Sequence, residues 1–339
     1  MKSKDLTMTT YEQFKSYLRS HNYSAAFETA QREALKNPAQ KVFWMNQQAI
    51  ALINAGNIKE ATEILKKALS IDPESPWTLF FYSEAKQKSG DIAEALIGYE
   101  ELVGNEKLAR RAQRGALECL IHLKEWNRAL DCISQWNLPP QESCRFQIQA
   151  LTGLNRTDEA FSLCNLWLQT SPDNKAALWL LVMLEISRYG LDTVRLKYER
   201  LAKIPSKPPI YGEIHAYLCK KSGKIDKAIS QYQKLQTKTQ DPSILRKKAF
   251  ALAKSGQELQ AIPLLEELLR VSPADTFLHS SYSAACNRSS NLERAWKFYH
   301  ELLSLNPDDM RIFGRIKKIQ KKLEESSGES DNSDSETTL

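Results

Sequence analysis

The most constraining feature of this sequence is a repeat that runs through nearly all of it. The segments GNIKEA (56–61), GDIAEA (90–95), GKIDKA (223–228) and GQELQA (256–261) each carry a glycine, four residues and an alanine. KEWNRA (124–129), NRTDEA (155–160) and SNLERA (290–295) keep the alanine and lose the glycine, and HNYSAA ends a first copy at Ala26. From Ala26 through Ala61, Ala95 and Ala129 to Ala160 the steps are 35, 34, 34 and 31 residues. Ala160 to Ala228 is 68, two such steps, with a weak copy between them at YGLDTVR (189–195). Ala228 to Ala261 is 33 and Ala261 to Ala295 is 34. Nine units at a period near 34 predict small structural units that bury their apolar faces on one another and not in one central core.

Each unit reads as two helices. In the second, Met45, Ala49 and Leu52 precede the glycine, and Ala61, Leu65, Ala68 and Leu69 follow it, at the three- and four-residue steps of a helix face. Units close on Asn37-Pro38, Asp72-Pro73, Ser171-Pro172, Ser272-Pro273 and Asn306-Pro307, where a proline cannot continue the helix before it. The glycine falls between the two helices, where a left-handed backbone is expected, and the small alanine lets the second helix approach closely.

These residues resemble the tetratricopeptide repeat family: period, helix–turn–helix units, paired small residues, a closing proline, and a late Leu or Tyr at Leu65, Tyr99, Tyr232, Leu265 and Tyr299. The resemblance covers roughly residues 8–307. It implies an all-α fold, a right-handed superhelical solenoid of about nine units. A capping helix is expected over 308–325, with Ile312, Ile316, Ile319 and Leu323 on one face. The domain reading is therefore a solenoid over 1–325 and a disordered, acidic, Ser-rich tail over 326–339. Three places depart from the pattern: the short junction at Leu138-Pro139-Pro140, the weak sixth unit, and Pro263 inside a second helix. Each is expected to bend the array or shift a helix start. Hydrogen exchange should open 174–204 before 42–103, because the weak unit has the poorest neighbours.

Composition narrows function. The net charge is +6, and removing the four negative charges of the tail leaves 1–325 at +10. The longest apolar run, Ala176 to Leu184, stops at Glu185, well short of the ~20 residues of a membrane helix, and the N-terminus has no secretory apolar stretch. Six scattered cysteines without a Cys-x-x-Cys pair fit neither a disulfide framework nor a zinc site, so a reducing, cytoplasmic setting is expected. No nucleotide-binding glycine loop, His-Glu-x-x-His or nucleophile-elbow motif occurs, and the five histidines (His21, His122, His215, His279, His300) lie in different places along the array. The expectation is a chain that is not an enzyme and uses no cofactor or metal.

In the family that the repeats resemble, the first helix of each unit lines the inner face. That register places Phe43 and Asn46, then Trp77, Phe80 and Glu84, then Arg111, Arg114 and Glu118, then Glu142 and Arg145 there, followed by Tyr217, Arg246 and Phe250. Trp77 and Phe80 are candidate aromatic contacts. Arg111, Arg114 and Arg145 are candidate carboxylate binders, and the competing expectation is that they pair with Glu118 and Glu142. Tyr217, Arg246 and Phe250 complete the candidate partner-binding set. The Lys/Asn/Lys/Arg clamp by which some family members hold a chaperone C-terminus is not matched, since the corresponding places hold Asn46, Ile50, Phe80, Glu84, Arg114 and Glu118. The expected function is a scaffold or adaptor that takes an extended or helical, acidic segment of another protein. The alternative is an RNA-binding helical repeat, against which the basic residues are interleaved with acids.

Overall fold

The computed structural model describes residues 9–20, 22–136, 138–273, 275–305 and 309–330. Among these residues the regular structure is helical throughout. The elements are α1 (Thr10–Arg19), α2 (Tyr23–Lys36), α3 (Lys41–Ala55), α4 (Ile58–Ile71), α5 (Pro76–Ser89), α6 (Ile92–Glu101), α7 (Ala109–His122), α8 (Trp126–Gln135), α9 (Pro140–Gly153) and α10 (Thr157–Thr170). They continue as α11 (Lys175–Tyr189), α12 (Leu191–Ala202), α13 (Pro209–Lys221), α14 (Ile225–Gln236), α15 (Pro242–Lys254), α16 (Glu258–Val271), α17 (Thr276–Arg288), α18 (Leu292–Leu305) and α19 (Met310–Ser330). A short 3-10 turn at Pro38–Gln40 precedes α3. The chain divides after Leu184, within α11, into two compact units.

The turn inside a helix pair is one device used repeatedly. Gly56, Gly90, Gly223 and Gly256 have φ of 86°, 94°, 76° and 80°. At the three joints that lack glycine, Lys124, Asn155 and Ser290 take φ of 62°, 58° and 55° in the same place. The next N–H always closes back on the helix it has left: Asn57 on the Leu52 carbonyl at 2.9 Å, Asp91 on Lys86 at 3.0 Å, Glu125 on Leu120 at 2.9 Å, Arg156 on Leu151 at 2.9 Å, Asn291 on Cys286 at 2.8 Å. This six-to-one bond defines a Schellman cap, and it holds whether or not glycine is present.

Four residues beyond each second-helix N-cap, the chain buries a small side chain. Ala26, Ala61, Ala95, Ala129, Ala160, Ala228 and Ala261 are fully buried, and Ala295 nearly so. The weak copy keeps the slot with a different residue. Gly190, at φ 80°, is itself the N-cap of α12, so the joint is one residue shorter, and Val194 fills the alanine position at 1% exposure. Tyr198 then occupies the place of Leu65, Tyr99, Tyr232, Leu265 and Tyr299, all buried. Pro263 lies inside α16 without moving its start: the N-cap is Gln257 and Ala261 keeps the common slot.

In the first unit, successive helices pack on one another from α1 to α10, and α3, α5, α7 and α9 also touch in series. No pair of even-numbered helices there has contact of similar extent among the described residues. The odd-numbered helices are therefore the crowded side of the row, as the inner side of a curve must be. The buried side chains form local clusters, including Phe14 with Trp44, Leu65 with Ala85, and Tyr99 with Leu117 and Phe146. In the second unit one cluster runs from Ala216 through Tyr232, Leu265 and Tyr282 to Ile319. Ile312, Ile316 and Ile319 of α19 are buried there and Leu323 packs against it, on the face that the sequence marks. The helix α19 reaches Ser330, five residues into the stretch expected as tail. The rest of that tail, and the Asn306-Pro307 stop, lie outside the described residues.

Candidate partner-binding face

The odd-numbered helices of the first unit carry the candidate residues on their shared side. Pro76 opens α5 and supplies the fixed φ of a first helical position, so Trp77 stands in its first turn with 39% of its surface exposed. One turn on, Phe80 is half-buried: its ring meets Trp77 edge-on at 6.5 Å and Tyr99 of α6 at 5.8 Å. Phe81 stacks beneath Trp77 at 5.9 Å. Trp77 is thus the aromatic offered to solvent, and Phe80 and Phe81 hold its orientation.

Helix α7 sets Arg111 and Arg114 one turn apart, which places both on one face. The Arg111 guanidinium lies 5.7 Å from the Trp77 ring centroid, so α5 and α7 jointly present a cation on an aromatic. Arg145 of α9 rests on its neighbour Phe146 at 5.3 Å. The carboxylates expected to neutralise these arginines do not do so. Glu118 accepts a hydrogen bond from the Gln87 amide at 3.3 Å, and Glu142 faces Arg110 at 3.4 Å. Arg111, Arg114 and Arg145 are exposed, and none has a carboxylate within ion-pair distance among the described residues.

In the second unit the corresponding face is internally paired. Arg246 lies over Phe250 at 5.4 Å but also bonds Asp275, the N-cap of α17, at 2.6 Å. Lys247 bonds Glu213 at 2.7 Å, and Arg288 bonds Glu258 at 2.6 Å. Tyr217 and Phe250 are half-buried. The structure therefore brings Trp77, Phe80 and Arg111 together, sets Arg114 and Arg145 nearby on α7 and α9, and leaves Tyr217, Arg246 and Phe250 in a separate unit.

One aromatic group of this kind is absent from the sequence-derived set. Tyr11 of α1 meets Phe43 of α3 edge-on at 5.5 Å, and both are partly exposed at 36% and 41%. Phe43 falls in the register of inner-face positions; Tyr11 lies on the first helix of the first pair, which that register does not cover. The buried cysteines Cys119 and Cys286 have thiols pushed up by burial, to about 12 and about 11, and are poor nucleophiles. Among the described residues no three His, Cys, Asp or Glu side chains could hold a metal ion, and no helix is long and apolar enough to cross a membrane.

A chain of helical hairpins joined by Schellman turns, each keyed on one small buried residue, is a helical-repeat protein. The model of the tetratricopeptide repeat family matches residues 52–114, from α3 into α7, and the helix pairs on either side of that stretch repeat the same architecture. Among solved structures, a tetratricopeptide repeat protein from Parabacteroides merdae is similar at 13% identity, over 72% of this chain and 97% of its own, with a TM-score of 0.53. MamA (41 to its end) from Desulfovibrio magneticus is similar at 13% identity over 48% of this chain and 94% of its own, with a TM-score of 0.40. A chain of the Cut9–Hcn1 hetero-tetramer of the APC/C is similar at 15% identity over 86% of this chain and 59% of its own, with a TM-score of 0.35. The first of these carries the fold comparison. No curated protein matches the chain by sequence.

Proposed function

We propose that the chain is a non-catalytic scaffold that binds an acidic segment of another protein on the odd-numbered helices of its first unit. The observation that carries this reading is the set of three exposed arginines without carboxylate partners beside an exposed tryptophan, on a face where Arg110 is paired. Guanidinium groups take carboxylates in two-point contact, and a tryptophan anchors a contact that charge alone leaves loose. The tetratricopeptide fold is in general a protein-binding, non-catalytic one, and similarity to it supports the same role here. The function follows as assembly or regulation of a multiprotein complex, in a cytoplasmic setting.

The test is affinity capture from the native extract, with and without nuclease, by the wild type and by a variant carrying Arg114→Glu and Arg145→Glu. A protein retained after nuclease and lost in the variant is the expected result. Capture that vanishes on nuclease treatment would replace this reading with RNA binding through the basic surface.

A further inference from the structure

The second unit contains a cleft that the partner-binding reading does not use. It has a volume of about 810 Å³ and lies between the α12–α13 connection and α14, with Gly212 and His215 of α13 in its lining. That size is within the ~300–1,000 Å³ of small-molecule sites. Two lysines from the connection, Lys203 and Lys207, line one wall. Lys227, Lys234 and Lys238 line the other, with Gln231 between them. The steps 227, 231 and 234 follow the helical repeat, so α14 carries Lys227, Gln231 and Lys234 on one face, and Lys238 follows in the turn just past its end.

These charges outnumber their counter-charges. The lining includes two carboxylates, Glu199 and Asp226. Glu199 is already engaged by Arg195 at 3.6 Å and Lys203 at 3.3 Å, and Asp226 accepts from the Gln257 amide at 3.2 Å. Lys207 rests on the Tyr211 ring at 5.0 Å. Lys207, Lys227, Lys234 and Lys238 have no carboxylate within ion-pair distance among the described residues. Crowding uncompensated ammonium groups around one cleft costs self-repulsion that a bound anion relieves.

The floor adds a polar atom. His215 is 8% exposed and lines the same cleft. Its Nε2 lies 3.2 Å from the Cys219 sulfur, and its Nδ1 has no hydrogen bond of normal geometry, although the Gln231 amide acts on the ring. Burial lowers the imidazole pKa and raises that of the thiol, so the ring is neutral and the thiol keeps its proton. A neutral ring carries one N–H, either on Nε2 facing the Cys219 sulfur or on Nδ1, so Nδ1 is a buried polar atom at the floor in either tautomer.

We infer that this cleft binds a compact anion bearing two or more phosphate groups. Three features of the lining select that class. It contains no arginine, the residue suited to the planar carboxylates of an acidic peptide, whereas lysine meets phosphate as a point charge. It contains no Phe, Tyr or Trp on which a nucleobase could stack, as single-stranded nucleic acid requires, and its one aromatic ring, His215, is buried. Amines on both walls suit a ligand with charge on more than one side. The phosphates are supplied either by a soluble polyphosphorylated molecule or by a phosphorylated lipid headgroup.

The test is calorimetric titration of the full chain with tripolyphosphate and with inositol hexakisphosphate at ~50 mM salt, with vesicles containing or lacking a bisphosphorylated phosphoinositide as a further arm. Saturable one-to-one binding is expected, weakened at least tenfold by Lys227→Gln with Lys234→Gln and unchanged by Lys221→Gln, an exposed lysine outside the lining. Retention on the phosphoinositide vesicles alone assigns the lipid source; binding of the soluble anions alone assigns the other. The inference is overturned if the wild type binds none of these probes, if Lys221→Gln weakens binding equally, or if single-stranded RNA competes with higher affinity through the same lysines. All three substitutions are on exposed side chains, and an unchanged circular dichroism spectrum verifies the fold. Failure here leaves the proposed scaffold function intact, because Arg114 and Arg145 lie in the other unit.

Discussion

Exchanging the residue at two helix joints should move stability in opposite directions. Gly90 has φ of 94°, and a Cβ built there meets nothing within 4 Å. The cost of Gly90→Ala is therefore conformational alone. An L-residue in the left-handed region costs ~1–2 kcal/mol. Removing glycine from the unfolded chain returns ~0.4–1 kcal/mol. The net is a loss of about 1 kcal/mol. Lys124 is the mirror case: it holds φ 62° with an exposed side chain and the same closing bond from Glu125 to Leu120. Lys124→Gly should gain about 1 kcal/mol by the same two terms. Lys124→Ala, which removes the side chain and keeps the Cβ, should change little. Urea unfolding followed by far-ultraviolet circular dichroism reads all three, a 1 kcal/mol change moving the midpoint by ~0.3–1 M at ordinary slopes. A lower midpoint for Lys124→Gly, or an unchanged one for Gly90→Ala, would refute the assignment of strain to these joints.

Four further outcomes are expected. Gly153→Ala should destabilise by ~1–3 kcal/mol, because a Cβ there falls 2.3 Å from the Trp126 ring, which cannot bend aside; thermal melting reads it. Val194→Ala should cost ~1–2 kcal/mol by removing two buried carbons from the sixth pair, even though alanine is the residue found at that slot elsewhere. Stability should fall as pH rises above ~9. Burial pushes Tyr232 and Cys119 up to about 12 and Cys286 up to about 11, so the unfolded chain loses these protons first and the folded form loses their contribution between the unfolded and folded values. Iodoacetamide at neutral pH should label Cys132 and Cys144, which are half-buried, well before Cys119, Cys164, Cys219 or Cys286, as mass spectrometry of the native protein would show.

The helix pairs were legible because their markers are local. A glycine at a left-handed joint, an alanine four residues past an N-cap and a proline after a helix each act over one turn of chain, and each is visible without knowing the neighbours. The sixth pair was faint for the same reason: a joint shortened by one residue shifts Gly190 against the next helix, and Val194 in place of alanine removes the second marker, while the packing persists. The arginines could be placed on the inner face from periodicity alone. Whether each had a counter-ion could not, since Arg246 meets Asp275 from the next pair and Arg111 meets Trp77 from the preceding one. The lysine cleft was illegible because its walls are a connection and a second helix, neither of which lies in the register used to search for a binding face.

The side-chain bonds that link neighbouring pairs also limit how the array can be recombined. Asn46 donates to Thr78 at 3.0 Å, Gln87 to Glu118 at 3.3 Å, Arg110 to Glu142 at 3.4 Å and Lys247 to Glu213 at 2.7 Å, each partner 31 to 34 residues away. A single hairpin grafted into another scaffold would carry one half of such a bond on each flank and leave both halves unmatched. A piece of two adjacent hairpins keeps one such link intact inside it, so chimeras cut at that interval should be more stable than single-hairpin exchanges.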